Sequence, residues 1–77
     1  MSLSNISPPL KVHLIGVGGI GVSALARWFL GQKWAVSGSD AVSSQITQDL
    51  KKDGLIVKIG HKTSNLPQDT DLVIKST

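Results

Sequence analysis

Residues 11–23 read KVHLIGVGGIGVS, a short apolar run that breaks into glycines and then resumes at a different spacing. A nearly unbroken run such as VHLIGV belongs to a strand covered on both faces, the usual condition of a parallel sheet. Beyond Gly21, the residues Val22, Leu25, Ala26, Phe29 and Leu30 recur at helical intervals, which predicts a helix over residues 20–32 with one face on that sheet. Gly31 weakens its last turn. Between strand and helix, Gly16, Gly18 and Gly21 stand in G-x-G-x-x-G spacing. The first glycine of such a turn permits the tight bend, the second lets the backbone approach a phosphate, and the third lets helix and strand pack closely. Free N–H groups at the helix start then face an anion, with the positive end of the helix dipole behind them.

Outward from this stretch the same alternation continues. Residues 35–39 (AVSGS) predict a second strand with Asp40 at its carboxyl end. Ser43 or Ser44 can cap a second helix, in which Ile46 and Leu50 lie one turn apart on the buried side. Lys51 and Lys52 suit its negative end, and Gly54 its left-handed stop. Residues 55–59 predict a third strand, followed by Gly60 and His61, and residues 62–70, with Asn65 and Pro67, read as loop with at most one helical turn. Residues 71–76 (DLVIKS) predict a fourth strand. The expected architecture is α/β, a partial Rossmann-like parallel sheet of βαβαβ plus a fourth strand, in the order 3-2-1-4 with right-handed crossovers. Residues 1–10, rich in small polar residues and containing Pro8 and Pro9, read as a disordered tail, and residues 11–77 as a truncated domain.

Composition narrows the function classes. In 77 residues there is room for one small domain with a thin core, since only roughly 60% of the unfolded surface is buried at this size. The absence of cysteine excludes a disulfide framework, a redox pair and a thiolate metal site. No apolar run approaches the roughly 18 residues of a membrane span, and residues 1–9 lack the basic start and apolar middle of a signal peptide, so a cytoplasmic setting without a membrane partner is expected. The net charge of +3 is scattered, and a single Arg and a single Phe make a poor nucleic-acid surface. Neither a G-x-x-x-x-G-K-[ST] phosphate loop nor a carboxylate pair suited to acid/base work is present. The chain alone is expected to catalyse nothing and to bind no metal.

The candidate site gathers at one sheet edge, because all strands of a parallel sheet end there and ligands bind outside those ends. Asp40 lies 19 residues after Gly21, close to the offset at which an acid meets ribose hydroxyls, although an acid at a strand end also serves as a turn or cap. His61 comes out on the same edge, as a ligand-facing or an exposed turn histidine. His13 sits inside the first strand, which favours a packed, hydrogen-bonded role, while Trp28 and Trp34 suit the rim of the core.

Residues 11–23, with the doubled Gly18-Gly19 followed by Ile20-Gly21-Val22-Ser23, resemble the start of the Mur ligases of peptidoglycan synthesis. The likeness runs on through ALARWFLGQ, SGSD at residues 37–40, Ser44-x-x-Thr47, Gly54, Gly60-His61, Asn65-Leu66 and DLVIKST. Val22 departs from it, standing where relatives commonly have Met. The resemblance implies an amino-terminal Rossmann-like domain that holds the UDP part of UDP-N-acetylmuramate, in an enzyme that adds L-alanine to that substrate. ATP and Mg²⁺ are implied for the full-length enzyme, in a middle domain, and no cofactor for this chain itself. It further implies that Gly16, Gly18, Gly19, Ile20 and Gly21 form the diphosphate turn, with Gly18, Gly19, Ile20 and Gly21 facing the diphosphate, Asp40 and His61 at the uridine end and Ser39 beside them. The glycine turn and Asp40 alone fit equally a NAD(P)-binding domain of a dehydrogenase or regulatory sensor. A remnant that only assembles with itself is a third reading, and self-association through the exposed edge of the fourth strand is expected.

Overall fold

The strands and helices expected from the sequence are present, with small shifts at their ends, in the computed structural model, which describes residues 10–60, 67 and 69–75. The elements are β1 (Lys11–Ile15), α1 (Ile20–Gly31), β2 (Ala35–Asp40), α2 (Gln45–Lys52), β3 (Ile56–Ile59) and β4 (Leu72–Lys75). The four strands form one parallel sheet in the order β3-β2-β1-β4, as expected of a partial Rossmann-like fold. His61, the rest of the loop at 62–66 and residue 68, the end of the fourth strand at Ser76, and the tail at 1–9 lie outside the described residues. Leu10 extends the first strand pair, its carbonyl accepting the Ala35 N–H at 2.7 Å.

The two faces of the sheet differ in kind. Strand side chains alternate between faces, so Val12 and Leu14 share a face with Val36, Gly38 and Val57, their partners in register. On this face α1 packs against β1 and β2, α2 against β3, and the helices touch each other. Val17, Val22, Ala26, Phe29, Leu50 and Leu55 complete the core there. On the other face lie His13, Ser37 and Ser39, all buried, with Ile56 and Val73 more exposed toward the edges. Both tryptophans sit at the rim as expected: Trp34 packs edge-on to Phe29 at 4.7 Å between ring centroids, and Trp28 is half exposed.

The helix ends show which local signals act. Ser44, not Ser43, caps α2: its hydroxyl accepts the Thr47 N–H at 3.2 Å, and the Thr47 hydroxyl accepts the Ser44 N–H at 2.8 Å, closing a capping box. At the other end Gly54 is left-handed (φ 104°), with Gly54 N–H bonded to Lys51 O and Leu55 N–H to Leu50 O. That is a Schellman stop, and it delivers Leu55 to the core beside Leu50 instead of to the third strand, which begins at Ile56. Helix α1 ends in the same motif with Lys33 in the left-handed position (φ 68°), which no glycine in the sequence marks. Trp34 then reaches back to Phe29 as the accompanying apolar contact.

Candidate functional site

The glycine turn connects β1 to α1 at the carboxyl edge of the sheet, and its first glycine has the predicted role. Gly16 has φ +81°, a conformation that side chains other than glycine adopt only at a cost. The N–H groups of Gly16 and Val17 both donate to the Ser39 carbonyl, at 2.8 and 3.0 Å, which ties the turn to the end of β2. Gly19 N–H donates to Gly16 O at 2.9 Å, and Gly18 N–H to Asp40 Oδ2 at 2.8 Å. The four amides of residues 16–19 are therefore occupied within the protein. Among the described residues, the N–H groups of Ile20, Gly21 and Val22 have no acceptor, because they open α1 and its Gly19 cap offers no side chain. The open donors thus begin with Ile20, whereas the sequence resemblance started the anion-facing set at Gly18.

Close packing falls on a different glycine from the one expected. A Cβ at Gly21 would meet nothing within 4 Å, so this glycine does not serve helix–strand contact. At Gly38 a Cβ would lie 2.8 Å from the Val17 Cβ, so β2 admits the glycine turn only because Gly38 has no side chain. A Cβ at Gly18 would lie 2.8 Å from Asp40 Oδ2 and 3.3 Å from the Thr47 methyl. The bare α-carbon of Gly18 is what lets Asp40 close over the turn.

Asp40 sits at the end of β2, half-buried, with Oδ2 on Gly18 N–H and Oδ1 accepting Val42 N–H at 3.3 Å. Its backbone carbonyl accepts Gly60 N–H at 2.7 Å, which fixes the end of β3 beside it. Ser39 turns its hydroxyl into the buried face, 3.2 Å from His13 Nε2, while His13 Nδ1 lies 2.8 Å from the Ser37 hydroxyl. Each serine hydroxyl can donate or accept, so both ring nitrogens of a neutral imidazole are satisfied. His13 is thus the packed, bonded core histidine that its strand position predicts, and burial pushes its pKa below the usual 6.5.

A cavity of about 340 Å³ opens beside the free amides, lined by Gly19, Ile20, Gly21, Leu25, Ile74 and Lys75 among others. Lys75 and Leu25 were not legible as site residues in the sequence. The one available signal for Lys75 was the predicted order 3-2-1-4, which places the end of β4 next to the end of β1. A second cavity, of about 400 Å³, lies at the opposite edge near Lys11, Trp34, Gly54 and Pro67, away from the glycine turn. Among the described residues no group of three or more His, Asp or Glu could hold a metal ion, and no helix is long and apolar enough to cross a membrane.

A parallel sheet in this order, with a glycine turn and an uncapped helix at its carboxyl edge, defines a Rossmann-like domain. The chain belongs to the Mur ligase family: residues 11–77 match the Mur ligase family, catalytic domain. It is 46% identical over 68 residues to the UDP-N-acetylmuramate–L-alanine ligase of Carboxydothermus hydrogenoformans, an alignment covering 88% of this chain and 15% of that protein. The ligases of the same name from Clostridium perfringens and Campylobacter jejuni are each 48% identical, over 83% and 86% of this chain. The chain spans about 15% of the length of these relatives.

Proposed function

We propose that residues 11–77 form the amino-terminal nucleotide-sugar-binding domain of a cytoplasmic, ATP-dependent ligase that joins L-alanine to UDP-N-acetylmuramate in peptidoglycan synthesis. The observation that carries this reading is the row of unpaired amides at Ile20, Gly21 and Val22 opening on a cavity at the carboxyl edge, in a chain whose relatives bear that ligase's name. These amides, with the positive end of the α1 dipole behind them, face the diphosphate. We assign the uridine end to Asp40 and, from the sequence resemblance, to His61; the Ser39 hydroxyl is held on the buried face by His13, so Ser39 serves only to position the end of β2. A carboxylate has about four acceptor positions, so Asp40, with one bond on each oxygen, still accepts from a ribose hydroxyl or a uracil N–H.

The residues present do not fit ATP and Mg²⁺: there is no phosphate loop in the sequence and no metal-ligating group among the described residues. We therefore assign phosphorylation and amide formation to parts of the enzyme other than these residues. Pairing of β4 with a further strand belongs to the same proposal. Leu72 and Val73 are 40% and 45% exposed on an edge of the described sheet, and an open apolar edge recruits a strand from elsewhere in the enzyme or from a second copy.

Calorimetric titration with UDP and NAD tests the reading. UDP is expected to bind more tightly, and Asp40→Asn, which keeps an acceptor for Gly18 N–H but loses the charge, is expected to weaken UDP about 10-fold. His61→Ala is expected to weaken it as well. Equal or tighter binding of NAD transfers the assignment to a dinucleotide domain.

A further inference from the structure

The cavity beside the glycine turn holds one charged side chain. Seven of its eight lining residues are glycine or aliphatic, and the eighth is Lys75, the last residue of β4. Register explains its position: β4 pairs with β1, with Lys75 opposite Ile15, the residue immediately before Gly16. Lys11 and Arg27 are committed to ion pairs, with Asp69 and Asp53 respectively. Lys75 has no carboxylate within ion-pair distance among the described residues.

We propose that Lys75 is the side-chain cation of the site, reaching from β4 to the diphosphate that the α1 amides hold, and that it sets the preference for a doubly phosphorylated nucleotide. The inference rests on the diphosphate reading of the cavity. An ammonium on a flexible stem acts as a point charge toward phosphate, so its contribution grows with ligand charge and falls with salt. The amides, fixed in the fold, discriminate by geometry.

Titration of the wild-type chain, Lys75→Met and Lys75→Arg with UDP, UMP and uridine, at low and high salt, tests this. Lys75→Met is expected to weaken UDP about 10-fold at low salt, to weaken UMP less, to leave uridine unchanged, and to flatten the salt dependence. Lys75→Arg is expected to recover most of the loss, with unchanged melting temperatures because the side chain is exposed. Equal UDP affinity in wild type and Lys75→Met overturns the role of Lys75 and leaves the reading of the site intact. A wild-type chain that binds UDP no better than uridine overturns the diphosphate reading, and this inference with it.

Discussion

The two helices of this chain begin in opposite ways. Helix α2 starts at Ser44 with a closed capping box, in which the Ser44 hydroxyl accepts the Thr47 N–H and the Thr47 hydroxyl accepts the Ser44 N–H. Helix α1 starts at Gly19 with no side-chain cap and no acid in its first turn, and the N–H groups of Ile20, Gly21 and Val22 are left open. The backbone at both caps is extended (Gly19 φ −73°, ψ 149°; Ser44 φ −145°, ψ 173°), so the difference lies in the side chains. A helix that serves only the fold can carry a side-chain cap at its start, whereas one that receives an anion leaves that place clear, and in a chain this small that means giving up a cap worth about 1 kcal/mol.

The comparison can be broken most forcefully by making α1 resemble α2. Gly19→Asp places a capping carboxylate over the open amides, and UDP affinity is expected to fall at least about 100-fold while stability changes by only a few tenths of a kcal/mol. The small gain from capping is opposed by a tight 3.3 Å approach of the new Cβ to the Gly16 carbonyl oxygen. Calorimetry and thermal melting on the same sample separate the two effects; a large loss of stability with intact binding contradicts the division of labour.

A finer version removes one donor from each helix. Proline is tolerated at the first helical position, and the residue before it must be extended, as Gly19 and Ser44 both are. Ile20→Pro is expected to weaken UDP about 10-fold with a stability change within about 0.5 kcal/mol, because it deletes an amide that only a ligand uses. Gln45→Pro, at the equivalent place on α2, is expected to leave UDP binding unchanged. Equal effects of the two prolines on binding would remove the distinction.

Smaller effects sharpen the α2 side. Ser44→Ala opens the capping box and is expected to cost about 1 kcal/mol in urea denaturation, with no loss of UDP affinity in the folded protein. The smallest effect expected is pH dependence from His13, on the sheet face opposite the helices. Burial lowers the His13 pKa in the folded chain below the 6.5 of the unfolded chain, so the unfolded state takes up more protons as the medium is acidified. Stability is therefore highest above about pH 6.5 and falls as pH drops below it toward the folded-state pKa. Urea midpoints at pH 7.5 and 5.5 for wild type and His13→Asn check this, and the part of the fall due to His13 is expected to vanish in the variant.

What the amino-acid sequence determined by itself was local. The elements and their order followed from apolar spacing, the tight turn from Gly16, the left-handed stop from Gly54, and the buried state of His13 from its place in a continuous apolar run. These depend on neighbours within a few residues, where periodicity and backbone conformation act directly. Only the tertiary structure decided which amides the protein keeps for itself: Gly16 and Val17 are taken by a carbonyl on β2 and Gly18 by Asp40, which moves the open donors to Ile20, Gly21 and Val22. It also decided that close packing needs Gly38 and not Gly21, and that Lys75 stands beside the glycine turn. The physical reason is strand register. Pairing β1 with β2 and β4 brings Ser39 and Lys75 to Ile15 across long stretches of chain, and no periodicity within a single segment specifies a contact made by hydrogen-bonding between strands.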